Sequence, residues 1–289
     1  MLLYLTVGAL MIGGVYGVIA LGYSLIYKAS GLMSLCQGDM LMFGAFLGLT
    51  FYQYLQLPFV LALLMTMIVM FIIGVAIQRV LISELLKRGS QFAYVILCTI
   101  AISMLLQNGS MIIWGRSMYQ MSSPFATKSV PIFGVNIAPE SLVVLLAAVV
   151  CMLGLYFFMA KTRFGTAMRA AAMDSRAAST MGINVLLTRS VTWGLAASLA
   201  GAIGMVMGPV YGVYTSMGIL IGQKAFSSAV SGGYGNIYGA IIGGVFFGFL
   251  ETFVAAYVTS LYKDFISFAI LIVILIFMPT GLFREQVLE

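Results

Sequence analysis

Residues Lys161 to Arg189 read KTRFGTAMRAAAMDSRAASTMGINVLLTR, and this polar interruption organises everything around it. It holds Lys161, Arg163, Arg169, Arg176 and Arg189 against the single acid Asp174, in a chain where only 8% of residues are charged. Long apolar stretches lie on both sides. Lys and Arg near span ends resist translocation, so a basic loop between spans belongs in the cytosol. The loop is also rich in Ala, the residue with least to lose in a helix. Asp174 can cap a second short helix, and Gly182 can end it. The expectation is a small folded cytoplasmic element over 161–189, offering a methyl-rich surface with two arginines for docking.

Working outward, the composition fixes the class. The chain has 289 residues, of which 62% are hydrophobic. A soluble domain of that size could not keep so much apolar surface from water. The expected fold is an all-α polytopic membrane protein forming one transmembrane domain over 1–289. Lys+Arg exceed Asp+Glu by 14 to 8, but the excess clusters in loops and sets orientation; it does not indicate nucleic-acid binding. The N-terminus lacks a basic n-region and a small-residue cleavage site, and reads as a retained first span. Cys36, Cys98 and Cys151 have no metal spacing and read as small core residues.

A span needs roughly 20 apolar residues. Leu2–Tyr27, Met33–Tyr54, Phe59–Leu81, Phe92–Trp114, Leu142–Ala160, Thr188–Met207, Tyr238–Tyr257 and Phe265–Met278 qualify as candidates. A ninth stretch, Val213–Gly235, is interrupted by Gln223, Lys224, serines and glycines. With Lys28, Arg79, Lys87, Arg88, the central loop and Arg284 inside, ten of the fourteen basic residues are cytoplasmic. Arg116, Lys128 and Lys263 are then external. This puts the N-terminus outside and the C-terminus in the cytosol, which requires an odd number of crossings. The expectation is therefore eight helices plus one broken or re-entrant crossing at 213–235. Non-helical backbone at membrane depth survives only inside protein or beside a wet cavity, so SSAVSGGYG is expected next to a polar path. A loop dipping from the surface is the alternative.

Residues 115–140 form a polar loop with Pro124, Pro131 and Pro139. Outside, it is either a docking surface for an external partner or a cap over the bundle. Small residues recur four apart at Gly13/Gly17, Gly44/Gly48, Gly204/Gly208 and Ala240/Gly244/Gly248, which lets helices approach closely within a bundle or at a subunit contact.

Polar residues at membrane depth are functional candidates. They are Gln37, Asp39, Gln107, Asn108 and Glu251, with Lys224 in the irregular stretch. Asp39 also suits a helix N-terminus, where a carboxylate is favourable. Glu251 has no obvious cation in sequence and could face a partner subunit or snorkel; Lys224 could pair with it or with Asp39. The chain has no histidine, which excludes His-based acid–base chemistry and His metal sites. It has no Walker A sequence either, so it cannot hydrolyse ATP by itself. No catalytic residue, metal ligand or cofactor is expected. What remains is a transporter or a channel. An assembly factor without transport would lack a solute-sized cavity beside 213–235.

Four segments then resemble the permease subunits of ABC importers for branched-chain (hydrophobic) amino acids and their relatives for urea and short amides. They are GVYGVIALGYSLIYKASGLMSLCQGDMLMFGAF, FGTAMRAAAMDSRAASTMGINV, GQKAFSSAVSGGYGNIYGAIIGG and YKDFISFAILIVILIFMPTGLF, running nearly end to end. The resemblance implies that Gly165–Gly182 is the coupling element seated in a cytoplasmic ATP-binding subunit, with Arg169, Asp174, Arg176, Gly182 and Ile183 at its recognisable positions. It implies that Lys224, Phe226, Gly232 and Gly233 belong to the segment near the translocation path. The implied partners are ATP-binding subunits, an external or periplasmic substrate-binding protein, and a second homologous permease (the heterodimer is favoured) or a second copy. The implied setting is the bacterial inner membrane. Ser34, Leu35 and Cys36 stand where the family commonly has Asn-Phe-Ala; if that run touches substrate, specificity departs from leucine, isoleucine and valine. The competing function is a stand-alone carrier or channel for small neutral solutes such as urea or amides.

Overall fold

The computed structural model describes residues 2–88, 92–124, 130–132, 135–278 and 280–283. Lys128 and Arg284, used above to orient the chain, lie outside the described residues. The helices are α1 (Leu2–Ser30), α2 (Gln37–Leu49), α3 (Phe59–Ala76), α4 (Ser83–Lys87), α5 (Phe92–Trp114), α6 (Pro139–Lys161), α7 (Arg163–Met173), α8 (Ser175–Thr180), α9 (Val185–Tyr211), α10 (Met217–Gly232), α11 (Ile237–Tyr257) and α12 (Lys263–Phe277). π-helical turns extend α2 to Tyr54 and join α3 to α4. A two-stranded antiparallel hairpin, β1 (Val130–Ile132) and β2 (Val135–Ile137), precedes α6.

Among the described residues, six helices are long and apolar enough to cross a membrane: Leu2–Ser30, Phe59–Lys87, Ala93–Trp114, Pro139–Lys161, Val185–Tyr211 and Ile237–Tyr257. Two expected spans are shorter than anticipated. The stretch from Met33 is not helical until Gln37, because Gly31 ends α1 in the left-handed region (φ 67°) and the chain runs irregularly to Cys36. The last span is a 15-residue helix of about 22 Å, less than the roughly 30 Å hydrocarbon core.

The largest correction concerns 213–235. Sixteen of its residues form the regular helix α10, and SSAVSG continues that helix instead of breaking it. The serines do not disrupt the ladder because their hydroxyls donate back to carbonyls of the same helix. Ser227 bonds Gln223 at 2.9 Å and Ser228 bonds Lys224 at 2.8 Å. The break comes only at Gly233 (φ 106°) and Gly235 (φ 96°). Irregular backbone does occur between buried helices, but at Leu32–Cys36, where periodicity alone read a span.

The core is built on close helix contacts. Gly13 and Gly17 of α1 meet Gly248 and Gly244 of α11, so a Cβ at Gly244 or Gly248 would fall onto the α1 backbone. Gly44 of α2 meets Gly201 of α9 in the same way. Between apolar helices in lipid such approach supplies the packing that a hydrophobic driving force would supply in water. These small-residue rows are used within the chain. Trp193, Phe46 and Phe247 fill the spaces beside them.

The loop after α5 lies against the bundle where it is described. Tyr119 and Val213 exchange backbone hydrogen bonds at 2.9 and 2.8 Å, and Met121 is buried against Gly208. This ties the loop to the α9–α10 connection. Pro139 and Glu140, expected in the loop, instead open α6, where proline at the first helical position costs no hydrogen bond.

Candidate functional site

Helix α10 forms a wall between two cavities. Met217, Leu220, Ile221 and Lys224 face one, while Ile219, Gly222, Gln223 and Phe226 face the other. Each set has the i, i+3, i+4, i+7 spacing that defines one stripe of a helix. Ile219, Leu220 and Gln223 are themselves exposed, so both cavities open along a shared strip.

The first of these sites is built around Asp39. It is the third residue of α2, buried, and accepts a hydrogen bond from Ser103 of α5 through Oδ2. Its Oδ1 has no protein partner. Asp39 thus sits both at a helix N-terminus and at depth, because Gly38 packs against Gly218 and Gly222 and lets α2 begin inside the bundle. The cavity, of about 310 Å³, is completed by Tyr23, Leu35, Gly218, Ile219, Gly222, Gln223 and Phe226. Below it Phe226 contacts Tyr23 (ring centroids 5.6 Å) and Tyr234 (5.7 Å), and Tyr234 contacts Tyr27 (4.9 Å). Four aromatic rings therefore close the cavity towards the end of α1 that carries Lys28.

A second site lies around Glu251. Its carboxylate accepts from Tyr16 at 2.6 Å and pairs with Lys224 at 2.6 Å and Lys263 at 3.0 Å. Lys224 also lies 2.8 Å from Asp264. Side-chain exposure is 10% for Lys224 and 7% for Glu251, so the central pair is buried. The cavity beside it, about 170 Å³, is lined by Tyr16, Lys224, Glu251, Lys263, Tyr211, Tyr214 and an apolar wall including Ile12, Val15 and Met207. Glu251 thus has its cations within the chain. Sequence alone could not choose them, since Lys224 and Lys263 come from different helices.

The remaining path candidates are dispersed. Gln37 is fully buried but braces helices, donating from Nε2 to the Ala196 carbonyl at 2.7 Å and packing on Gly22. Gln107 is half-buried; Asn108 is exposed and bonds only its own helix through Met104. Gly232 and Gly233 sit at the far end of α10, against Gly239 and Phe283. Tyr16, Tyr23, Ser103, Lys263 and Asp264 were missed, because on apolar or terminal stretches nothing local distinguishes them.

The basic element folds as two helices. Thr162 caps α7 by accepting from Gly165 N–H at 3.0 Å, and Asp174 caps α8 by accepting from Arg176 and Ala177 N–H at 2.8 and 3.1 Å. These two amide donors hold the Asp174 carboxyl below its usual range. Gly182 (φ 84°) stops α8, and half-buried Ile183 follows. Gly165, Met168 and Ala171 face inward, against α6 and its neighbours α1 and α9. Arg163, Arg169, Arg176, Met173 (79% exposed) and Met181 (84% exposed) face outward. Arg169 lines a cleft with Lys28, Tyr156 and Tyr238, at the ends of α1 and α6 and the start of α11.

Residues 5–275 match the model of the family described as branched-chain amino acid transport system / permease component. The high-affinity branched-chain amino acid transport system permease protein BraD of Pseudomonas aeruginosa is 31% identical, over 98% of this chain and 96% of its own. The corresponding permease protein LivH of Salmonella typhimurium is 31% identical, over 96% and 94%. A probable LivH of Methanocaldococcus jannaschii is 28% identical over 76% of this chain and 70% of its own. A chain of PsaBC from Streptococcus pneumoniae, solved in complex with Fab, shares the fold with a TM-score of 0.51 at 14% identity, over 93% of this chain and 90% of that one. On a family match that spans nearly the whole helical bundle, the chain belongs to the permease components of branched-chain amino acid transport systems.

Proposed function

We propose that the chain is the membrane-spanning permease of an ABC importer for branched-chain or other hydrophobic amino acids, driven by a separate ATP-binding subunit. The observation that carries this reading is the element over 161–189. Its inner face is fixed to the bundle, while its outer face exposes Arg163, Arg169 and Arg176 together with Met173 and Met181. Adaptable methionine surfaces beside arginine suit a protein interface. The comparisons lend nothing to a stand-alone carrier, and the cavities flanking α10 argue against an assembly factor.

Coupling would run from the ATP-binding subunit into α7 and α8, through Gly165, Arg169, Asp174, Arg176, Gly182 and Ile183, and on to α1, α6 and α9. Rocking of those helices would open the α10 cavities to alternate sides. The Asp39 cavity, with the Phe226 stack beneath it, is the part of the path nearest the coupling element. The exposed strip Ile219/Leu220/Gln223 is the face we assign to a second permease, homologous or identical. An external substrate-binding protein would deliver solute from the side of the Tyr119–Val213 tether, and the setting would be the bacterial inner membrane.

Counting α2, α10 and α12 beside the six long helices gives nine membrane segments among the described residues, an odd number that suits the N-out, C-in orientation. Replacing Arg169 and Arg176 together by Glu tests the coupling role. The expected result is loss of ATP-driven leucine uptake and of ATPase co-purification, with normal membrane insertion. Wild-type uptake by that variant would overturn it.

A further inference from the structure

The Asp39 cavity carries one acid and no base, whereas the Glu251 cavity carries charges of both signs, Glu251 with Lys224 and Lys263. The buried pair Lys224–Glu251, from α10 and α11, is flanked by the partly exposed Lys263 and Asp264 of α12, and Tyr16 of α1 adds a hydroxyl donor. Stability does not explain this arrangement. Replacing a buried ion pair by well-packed apolar groups is often neutral or favourable, so the pair is weak evidence of a scaffold role. Ionisable groups at membrane depth otherwise mark solute pathways. The pair is also not sealed. Lys224, Glu251 and Lys263 all line the same cavity, whose apolar lining includes Ile12, Val15, Met207, Met217 and Ile221.

We infer that this cluster is a head-group site for zwitterionic amino acids, in which the ligand's own charges replace the internal ion pairs. The ligand carboxylate takes Lys224 and Lys263, its ammonium takes Glu251, and its apolar side chain lies on the aliphatic wall. An empty site stays neutral because lysine and glutamate satisfy each other. A filled site stays neutral because a zwitterion adds no net charge, so buried charge is never left uncompensated in either state. A carboxylate without an amine, or an amine without a carboxylate, would strand one partner and is rejected for that reason.

The inference rests on the transporter reading given above, and the test separates the two. The full chain, co-purified with the subunits that accompany it, is assayed for binding and uptake of radiolabelled leucine, with 4-methylpentanoate and 3-methylbutylamine as competitors. Wild type is expected to bind leucine and to ignore both competitors. The double variant K224M/E251M, which removes the buried pair and leaves only the partly exposed, oppositely charged Lys263 and Asp264, is expected to elute as an assembled complex. Its leucine binding is expected to fall at least about tenfold. The charge-swapped variant K224E/E251K separates ligand binding from scaffolding. Restored leucine binding would support the site and show that the pair, not its polarity, is needed. Unchanged leucine binding by K224M/E251M, within about twofold of wild type, would overturn the inference while leaving the transporter reading intact. Equal competition by either single-charge analogue would also overturn it. A wild-type complex that takes up no hydrophobic amino acid would instead sink the transporter reading.

Discussion

At Glu251 a single carboxylate holds two lysines and a tyrosine, drawn from four helices including its own. Glu251→Ala alone leaves buried Lys224 with only the partly exposed Asp264 as its anion, and should destabilise the folded protein by less than the roughly 3–5 kcal/mol of a fully unpaired buried charge. Thermal unfolding of the purified protein checks this, against K224M/E251M, which should unfold within a few degrees of wild type. Asp174 makes a different kind of contribution. Its folded-state carboxyl is depressed by the Arg176 and Ala177 amides, so its cap is present above the unfolded carboxylate value of about 3.9 and is lost as pH falls through the lower folded value. Amide exchange at Arg176 and Ala177 should therefore keep its protection, relative to neighbouring amides, from pH 7 to pH 5. Asp174→Ala should remove it at every pH. These two residues differ in legibility for a physical reason. The Asp174 cap is local, three residues from the amide it serves, and was readable from sequence. The partners of Glu251 lie 12, 27 and 235 residues away, and only packing brings them together.

Helix elements show the same divide between local and distant causes. The apolar runs of α1, α3, α5, α6, α9 and α11 announce themselves, since each alone meets the length that a bilayer demands. Helix α10 does not, because its serines and glycines read as breakers until their hydroxyls are seen donating to preceding carbonyls. The stretch before α2 failed in the opposite direction: SLC is apolar enough to continue a span, yet the turn at Gly31 and the Gly38 contact with α10 start the helix later. Glycine rows were visible as spacing, but which row meets which helix was not. The α1–α11 contact gives a direct expectation. Gly248→Leu drives its side chain into Gly13 backbone, where no flexible neighbour can yield. It should cost at least about 1–3 kcal/mol, the usual range for overpacking, and reduce the yield of monodisperse protein. Gly109→Ala, at a position with open space, should leave yield unchanged.

For the whole molecule, the bundle places a basic two-helix element at one end and two cavities along one helix, with a run of aromatic rings beside the Asp39 cavity. Polytopic class, the basic element and the family were legible in sequence because each rests on composition or on contiguous motifs. The division of polar residues between two cavities was not, since it depends on the rotation of α10. The central claim is that transport needs a separate motor acting through 161–189. Reconstituting the chain in liposomes, alone and with its ATP-binding subunits and substrate-binding protein, tests that claim most directly. Uphill leucine accumulation should appear only with the full set and ATP, and vanish with Arg169→Glu/Arg176→Glu. Uphill accumulation by the chain alone would contradict it.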